Sequence, residues 1–165
     1  VIELIEKFLE AGFSKETAIR MMNSAMVIRG EDDLFSTVDI SALNLYDGNC
    51  TFYKIGASAT FIRRADCVEC LISENLPVGV YHSVEIEKTT RSLSDGDFII
   101  MMSDGVLEYL NVPHPEEAME SIIAGIDTNH PGRFAKQLLD QVLVYTDGKV
   151  GDDMTVLVAA VWEKA

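Results

Sequence analysis

Phe98-Ile99-Ile100-Met101-Met102-Ser103-Asp104-Gly105 is the stretch on which the reading of this chain turns. An apolar run, polar only at Ser103, stops at an acidic residue followed by glycine. A second apolar run, Thr155-Val156-Leu157-Val158-Ala159-Ala160-Val161, is entered directly from Gly151-Asp152-Asp153-Met154. Two buried-looking strands therefore each carry an aspartate at one end. Strands hold their side chains rigidly, and hard divalent cations take oxygen ligands, so the pattern points to a metal site.

Each half of that pattern has a plainer reading. Asp-Gly favours turns wherever it occurs, and the pairs at 47–48 and 95–96 read as turns only. Asp104 differs by following six strand residues of which only Ser103 is polar. A carboxylate against such a strand needs hydrogen bonds or a cation to offset lost hydration. Asp152-Asp153 reads alone as an acidic strand entry on the surface. Neighbours on an extended chain point to opposite sides, so one of the two is expected to face the site of Asp104.

Working outward, Val38, Ile40 and Ala42 alternate with polar residues as in a half-buried strand, and Asp47-Gly48 is a hairpin turn. The returning strand, Cys50 to Ile55, breaks at Gly56-Ala57-Ser58. Thr60 to Arg64 and Cys67 to Ile72 form a second hairpin. Leu76-Pro77-Val78-Gly79 is a loop, and Val84, Ile86 and Lys88 mark another alternating strand. Ser94-Asp95-Gly96-Asp97 turns into the Phe98–Ser103 strand. A short helical piece spans Val106 to Leu110. Pro115 starts a helix running to Ile126, and Pro131 starts one running to Tyr145. The Asp147-Gly148 turn precedes the last strand.

The chain opens with a helix pair. Val1, Leu4, Ile5, Phe8 and Leu9 fall at helical spacing until Gly12. Ser14 is the expected N-cap of the second helix. Ala18, Met21, Met22, Ala25 and Ile28 are its expected buried face, with Arg29 and Gly30 closing it. Phe8, Leu9, Met21, Met22 and Ile28 are expected to pack on a sheet or on a second copy of the pair, and Gly30 is the expected mobile joint. Helix pair, antiparallel strands, helices and a final strand make an α+β chain. No linker composition splits it. Residues 1–165 are expected to be a single partial domain, with the helix pair at 1–29 and the sheets and flanking helices at 35–165.

Composition excludes several function classes. With 13 basic against 27 acidic residues, the net charge is −14, which disfavours a nucleic-acid surface or an anionic membrane. It leaves phosphorylated substrates open, because bound cations invert the charge inside one cleft. The apolar runs fall well short of the ~20 residues of a membrane span. Three cysteines, Cys50, Cys67 and Cys70, are too few and odd in number for a disulfide framework and suggest reduced thiols in a cytosol. Cys67-Val68-Glu69-Cys70 has zinc-like spacing, but zinc takes four ligands and no second pair follows. His82, His114 and His130 sit beside turns or prolines and read as surface or capping residues. The chain does not start with Met, and its first residues read as a helix already under way, so a fragment of something longer is expected.

Ser103-Asp104-Gly105-Val106-Leu107-Glu108 and Asp152-Asp153-Met154-Thr155-Val156 resemble the last two metal motifs of the metal-dependent serine/threonine phosphatases, the PP2C-like or PPM superfamily. Phe35-Ser36-Thr37-Val38-Asp39, Lys54-Ile55-Gly56-Ala57-Ser58-Ala59 and Asn75-Leu76-Pro77-Val78-Gly79 resemble its bacterial branch. Any one of these is unspecific; five in order across nearly the whole chain are not. The chain looks like the C-terminal two-thirds of a sporulation-type phosphatase domain. The resemblance implies a PP2C-like antiparallel β-sandwich flanked by helices, here N-terminally truncated. It implies two Mn²⁺ or Mg²⁺ ions at the sheet ends, which neutralise phosphoryl charge and activate a water. Asp104 and Asp152 would be the catalytic metal ligands, Gly105 belongs to the same Asp-Gly motif as Asp104, and Asp153 would stand behind Asp152. The family's first metal motif, an Asp-Gly pair that bridges both ions, has no match before the helix pair, and Asp32-Asp33 do not fit it. It is expected upstream of Val1, so the chain alone is expected to be inactive.

The implied partner is a phosphorylated anti-anti-sigma factor, dephosphorylated at serine in sporulation sigma-factor control. A second copy of the chain is a further expected partner, through the helix pair or an open sheet edge. The domain is expected in the cytoplasm, with its parent anchored to a membrane by an upstream region. The helix pair would act as a switch in the resembled family, or as plain cover for a sheet. Two alternatives stay open: a non-catalytic PP2C-like regulatory interaction module, and an unrelated acidic α+β domain whose Asp-Gly pairs are only turns.

Overall fold

Among the described residues of this computed structural model, twelve elements follow one another. The structure describes residues 1–29, 35–145 and 152–163. Expectations that fell on Gly30, Asp32-Asp33, Asp147-Gly148 and Gly151 lie outside the described residues. The chain divides into two compact units. One comprises 1–42, 51–57 and 73–90, and the other 43–50, 58–72 and 91–165.

The first unit opens with α1 (Ile2–Glu10) and α2 (Lys15–Arg29). Gly12 at φ +87° makes the turn between them. Ser14 caps α2 as expected, its Oγ accepting the Thr17 N–H at 3.2 Å. The buried face of α2 is Ala18, Ile19, Met22, Asn23 and Met26. This corrects the expected stripe. Met21 and Ile28 are exposed, Ile28 at 81%. The sequence pattern was misphased because α2 carries apolar residues around much of its circumference, and a polar residue, Asn23, lies on the buried side.

Three strands form a sheet in the order β1 (Val38–Leu43), β2 (Asn49–Ile55), β5 (Glu87–Ser92). Ile5 of α1 and Ile19, Met22 and Met26 of α2 pack with Val38, Tyr53 and Ile55 of β1 and β2, and with Val78 and Val84 from the loop before β5. The helix pair thus covers a sheet. Asn23 earns its burial by pinning that loop. Its Nδ2 donates to the Tyr81 carbonyl at 2.9 Å, and its Oδ1 accepts the Gly79 N–H at 2.8 Å. Lys88 on β5 reaches Glu16 on α2 at 2.6 Å. The strand expected through Val84, Ile86 and Lys88 begins only at Glu87. Its residues, EKTTRS, contain no aliphatic side chain, so no hydrophobic alternation marks it.

The second unit is built on a four-stranded antiparallel sheet, β4 (Val68–Leu71), β3 (Thr60–Arg63), β6 (Phe98–Met102) and β7 (Val156–Ala160), in that spatial order. Opposite partners include Phe61↔Ile100 and Ile100↔Val158. Side chains directly opposite share a face. On that face Phe61, Phe98, Ile100 and Met102 form one core with residues of α4 (Pro115–Ala124) and α5 (Pro131–Tyr145). Phe134 of α5 stacks on Phe98 at 5.3 Å between ring centroids. Ile62 and Ile99, on the opposite face, are buried too. Burial on both faces is why β6 reads as a continuous apolar run. β7 corrects its own expectation. As an edge strand it alternates between half-buried and exposed, with Leu157 at 54% exposure.

Pro115 and Pro131 start their helices as expected. His130 accepts the Arg133 N–H through Nδ1 at 3.4 Å, a capping role at the start of α5. The helix from Pro115 ends at Ala124 rather than Ile126, and the short helical piece is α3 (Asp104–Glu108), two residues earlier than expected. Cys67 lies outside β4 and is exposed, and Cys70 is half-buried.

Candidate metal site

β6 and β7 are antiparallel neighbours, with Met102 opposite Val156. The end of β6 and the beginning of β7 therefore lie at one end of the sheet. Sequence places Asp104-Gly105 just after the first and Asp152-Asp153 just before the second. Two motifs 48 positions apart meet for that reason alone.

Their approach is close. A Cβ added to Gly105 would lie 2.8 Å from the Asp153 carbonyl oxygen and 3.5 Å from the Asp152 Cβ. Gly105 is buried, and a glycine there lets the two segments touch. Ser103 stitches them together. Its N–H donates to the Thr155 carbonyl at 3.0 Å. Its Oγ donates to the Asp153 carbonyl at 3.1 Å and accepts the Thr155 N–H at 3.0 Å. Sequence reading left Ser103 aside as the polar end of the strand. The missed signal was a small hydroxyl at a strand-to-helix junction, where hydroxyls commonly bond backbone.

Asp104 opens α3 rather than ending β6, and it is exposed. The expected desolvation against an apolar strand does not arise, because the chain turns out of the sheet at Ser103. One oxygen of Asp104 accepts the Gly105 N–H at 2.9 Å. Asp152 repeats the arrangement, its Oδ1 accepting the Asp153 N–H at 2.8 Å. Asp152 and Asp153 are exposed as well. Each of Asp104 and Asp152 thus uses one oxygen to fix its own turn, and both residues are exposed.

The donor set suits a hard divalent cation in kind, being carboxylate oxygen. In number it is part of a site. Among the described residues no three His, Cys, Asp or Glu side chains gather into a metal-holding group. The thiols offer no competing chemistry. Burial pushes the Cys50 thiol up to about 11. The Cys67 thiol is also raised, by partial desolvation first and by the Asp66 carboxylate beside it. Both stay protonated near neutral pH, and a thiol is a far weaker nucleophile than a thiolate.

Gly105→Ala tests the close approach. The atom in the way is backbone, tied by Ser103, so it cannot swing aside like a side-chain tip. Overpacking of this kind costs about 1–3 kcal/mol. That outweighs the up to ~1 kcal/mol alanine gains in a helix, since α3 has only five residues. A melting temperature a few degrees lower by circular dichroism is expected. An unchanged or higher value would show that the Asp153 carbonyl yields freely.

Comparison with known proteins gives one answer. The family model described as stage II sporulation protein E (SpoIIE) matches residues 1–162. Stage II sporulation protein E of Bacillus subtilis (strain 168) is 37% identical over 161 residues, covering 97% of this chain and 20% of that protein. The chain thus spans about a fifth of that curated relative's length. A solved structure of the PP2C phosphatase domain and a fragment of the regulatory domain of the cell fate determinant SpoIIE from Bacillus subtilis superposes with a TM-score of 0.88 at 37% identity. The match covers 97% of this chain and 48% of that one. A manganese-presoaked structure of the SpoIIE phosphatase domain from the same organism gives 0.76 at 33% identity, covering 99% and 74% respectively. The mixed helix and antiparallel-sheet architecture is that of PP2C phosphatase domains. The chain belongs to the stage II sporulation protein E family and matches its PP2C-type serine/threonine phosphatase domain.

Proposed function

We infer that residues 1–165 form part of a single metal-dependent phosphoserine phosphatase domain, in which Asp104 and Asp152 hold Mn²⁺ or Mg²⁺. The observation that carries this reading is the meeting of the two acidic turns at one sheet end, within contact distance of Gly105. Bound there, divalent cations would supply charge neutralisation at the phosphoryl oxygens and acidity to a water. The chain's own contribution is placement. β6 and β7 fix the two turns, and Gly105 lets them approach. The backbone N–H groups of Gly105 and Asp153 orient one oxygen of each carboxylate. Asp153 stands behind Asp152 through its backbone. Family membership supports an anti-anti-sigma factor phosphorylated on serine as the substrate. On this reading the domain works in the cytoplasm, and its parent protein carries any membrane anchor.

The test is Mn²⁺-dependent hydrolysis of a phosphoserine protein by a polypeptide spanning the whole phosphatase domain. Turnover that chelation abolishes is expected. A folded polypeptide without activity in Mn²⁺ or Mg²⁺ would overturn the reading. It would favour instead a non-catalytic regulatory module of the same fold.

The 165-residue chain by itself is expected to hydrolyse a phosphoserine peptide no faster than background. Mg²⁺ asks for near-octahedral coordination and two-metal chemistry for ions about 3.5–4 Å apart, and two carboxylates do not secure that. Robust Mn²⁺-dependent turnover by the chain alone would show that the described carboxylates suffice.

A further inference from the structure

We propose that Ser103 is a positioning residue, a hydroxyl latch that sets where the Asp104 and Asp152 carboxylates stand relative to each other. The proposal rests on the reading of those two aspartates as cation ligands.

The register shows why a latch is needed. Met102 pairs with Val156, so the next antiparallel pair is Ser103 with Thr155. Such a pair normally exchanges two backbone hydrogen bonds. The first is present, from the Ser103 N–H to the Thr155 carbonyl at 3.0 Å. The second is not made by backbone. The chain leaves the sheet at Ser103, whose carbonyl turns to accept the Val106 N–H at 3.1 Å in the first turn of α3. That would leave the Thr155 N–H without its ladder acceptor. The Ser103 Oγ takes over, accepting it at 3.0 Å. The same oxygen donates its proton to the Asp153 carbonyl at 3.1 Å. A hydroxyl has one donor and two acceptor lone pairs, so both bonds form together.

One side chain therefore resolves a conflict that the aspartates create. Asp104 must leave the strand to open α3, and Asp152-Asp153 must stay against it. The Asp153 carbonyl is held by the Ser103 hydroxyl and lies where a side chain at Gly105 would collide with it. Asp152 is tied to the residue so held, its Oδ1 accepting the Asp153 N–H at 2.8 Å. Residues that orient metal ligands in this way, without touching the metal, typically affect its affinity by about 10–100-fold.

The test uses an isotope-labelled polypeptide spanning the whole phosphatase domain, with Mn²⁺ alone as the probe. Two quantities are read by NMR: hydrogen exchange at the Thr155 amide, and paramagnetic broadening of the Gly105 and Asp153 amides through a Mn²⁺ titration. Ser103→Ala is expected to speed Thr155 exchange by about tenfold. It is also expected to raise the Mn²⁺ concentration for half-broadening by about tenfold or more. Ser103→Thr, which keeps the hydroxyl, should restore both. Should the alanine variant not fold, Ser103→Thr against Ser103→Val asks the same question at matched volume. Unchanged Thr155 exchange would overturn the latch. Faster exchange with an unchanged Mn²⁺ midpoint would leave Ser103 a strand tether and overturn its positioning role. Absence of broadening in the unaltered domain would overturn the cation-ligand reading and the positioning role with it, a result distinct from either of the others.

Discussion

Asp104→Asn and Asp152→Asn, each made in a polypeptide spanning the whole phosphatase domain, are expected to lower Mn²⁺-dependent turnover of a phosphoserine substrate by about 10²–10³-fold or more. Asparagine keeps the shape and one oxygen, so the backbone N–H groups of Gly105 and Asp153 can still be met. What is lost is the charge that draws a cation. Both aspartates are exposed, and surface substitutions usually stay within about ±0.5 kcal/mol. The melting curves should therefore barely move. This separation is the informative part. A variant that loses turnover and keeps its melting temperature places the aspartate in the chemistry. Turnover within about threefold of the unaltered domain, far less than loss of a transition-state electrostatic partner, would remove that aspartate from the site.

Phe134→Ala is expected to do the opposite, with a large stability loss from a residue remote in sequence from either metal motif. Phe134 is fully buried and stacks on Phe98, and the Arg63 guanidinium lies over both rings at 5.3 and 5.5 Å. Removing the ring leaves a cavity, deprives Phe98 of its stacking partner and strips Arg63 of one cation–π contact. Phe→Ala changes in such cores cost about 3–5 kcal/mol. In a chain of this size that is about 6–20 °C of melting temperature. A shift under ~2 °C would mean that α5 is not held on the sheet through this residue.

The sequence disclosed most where an element had to satisfy one demand. β6 is apolar on both faces, and prolines mark the starts of α4 and α5, so they were found nearly to the residue. It disclosed least where side chains answer to backbone. β5 has no aliphatic residue, and its strand character comes from its place beside β2. Asn23 is polar and buried because three backbone groups of one loop need it. No periodicity rule anticipates that, and the buried face of α2 was misplaced as a result. At the candidate site the two aspartates were legible from their position beside apolar runs. Ser103 was not, since its partners are the peptide groups of Asp153 and Thr155 and exist only once β7 has paired with β6.

The two compact units are interleaved along the chain, each assembled from three separate stretches. No single cut between residues can release either of them intact. A nick in the loop before β5, or an attempt to express one half alone, removes strands from one unit and leaves the other incomplete. Neither unit is a continuous stretch that could be fused or exchanged as one piece. In a nascent chain the first unit waits for residues 73–90, and the early stretches of the second wait for residues beyond 90.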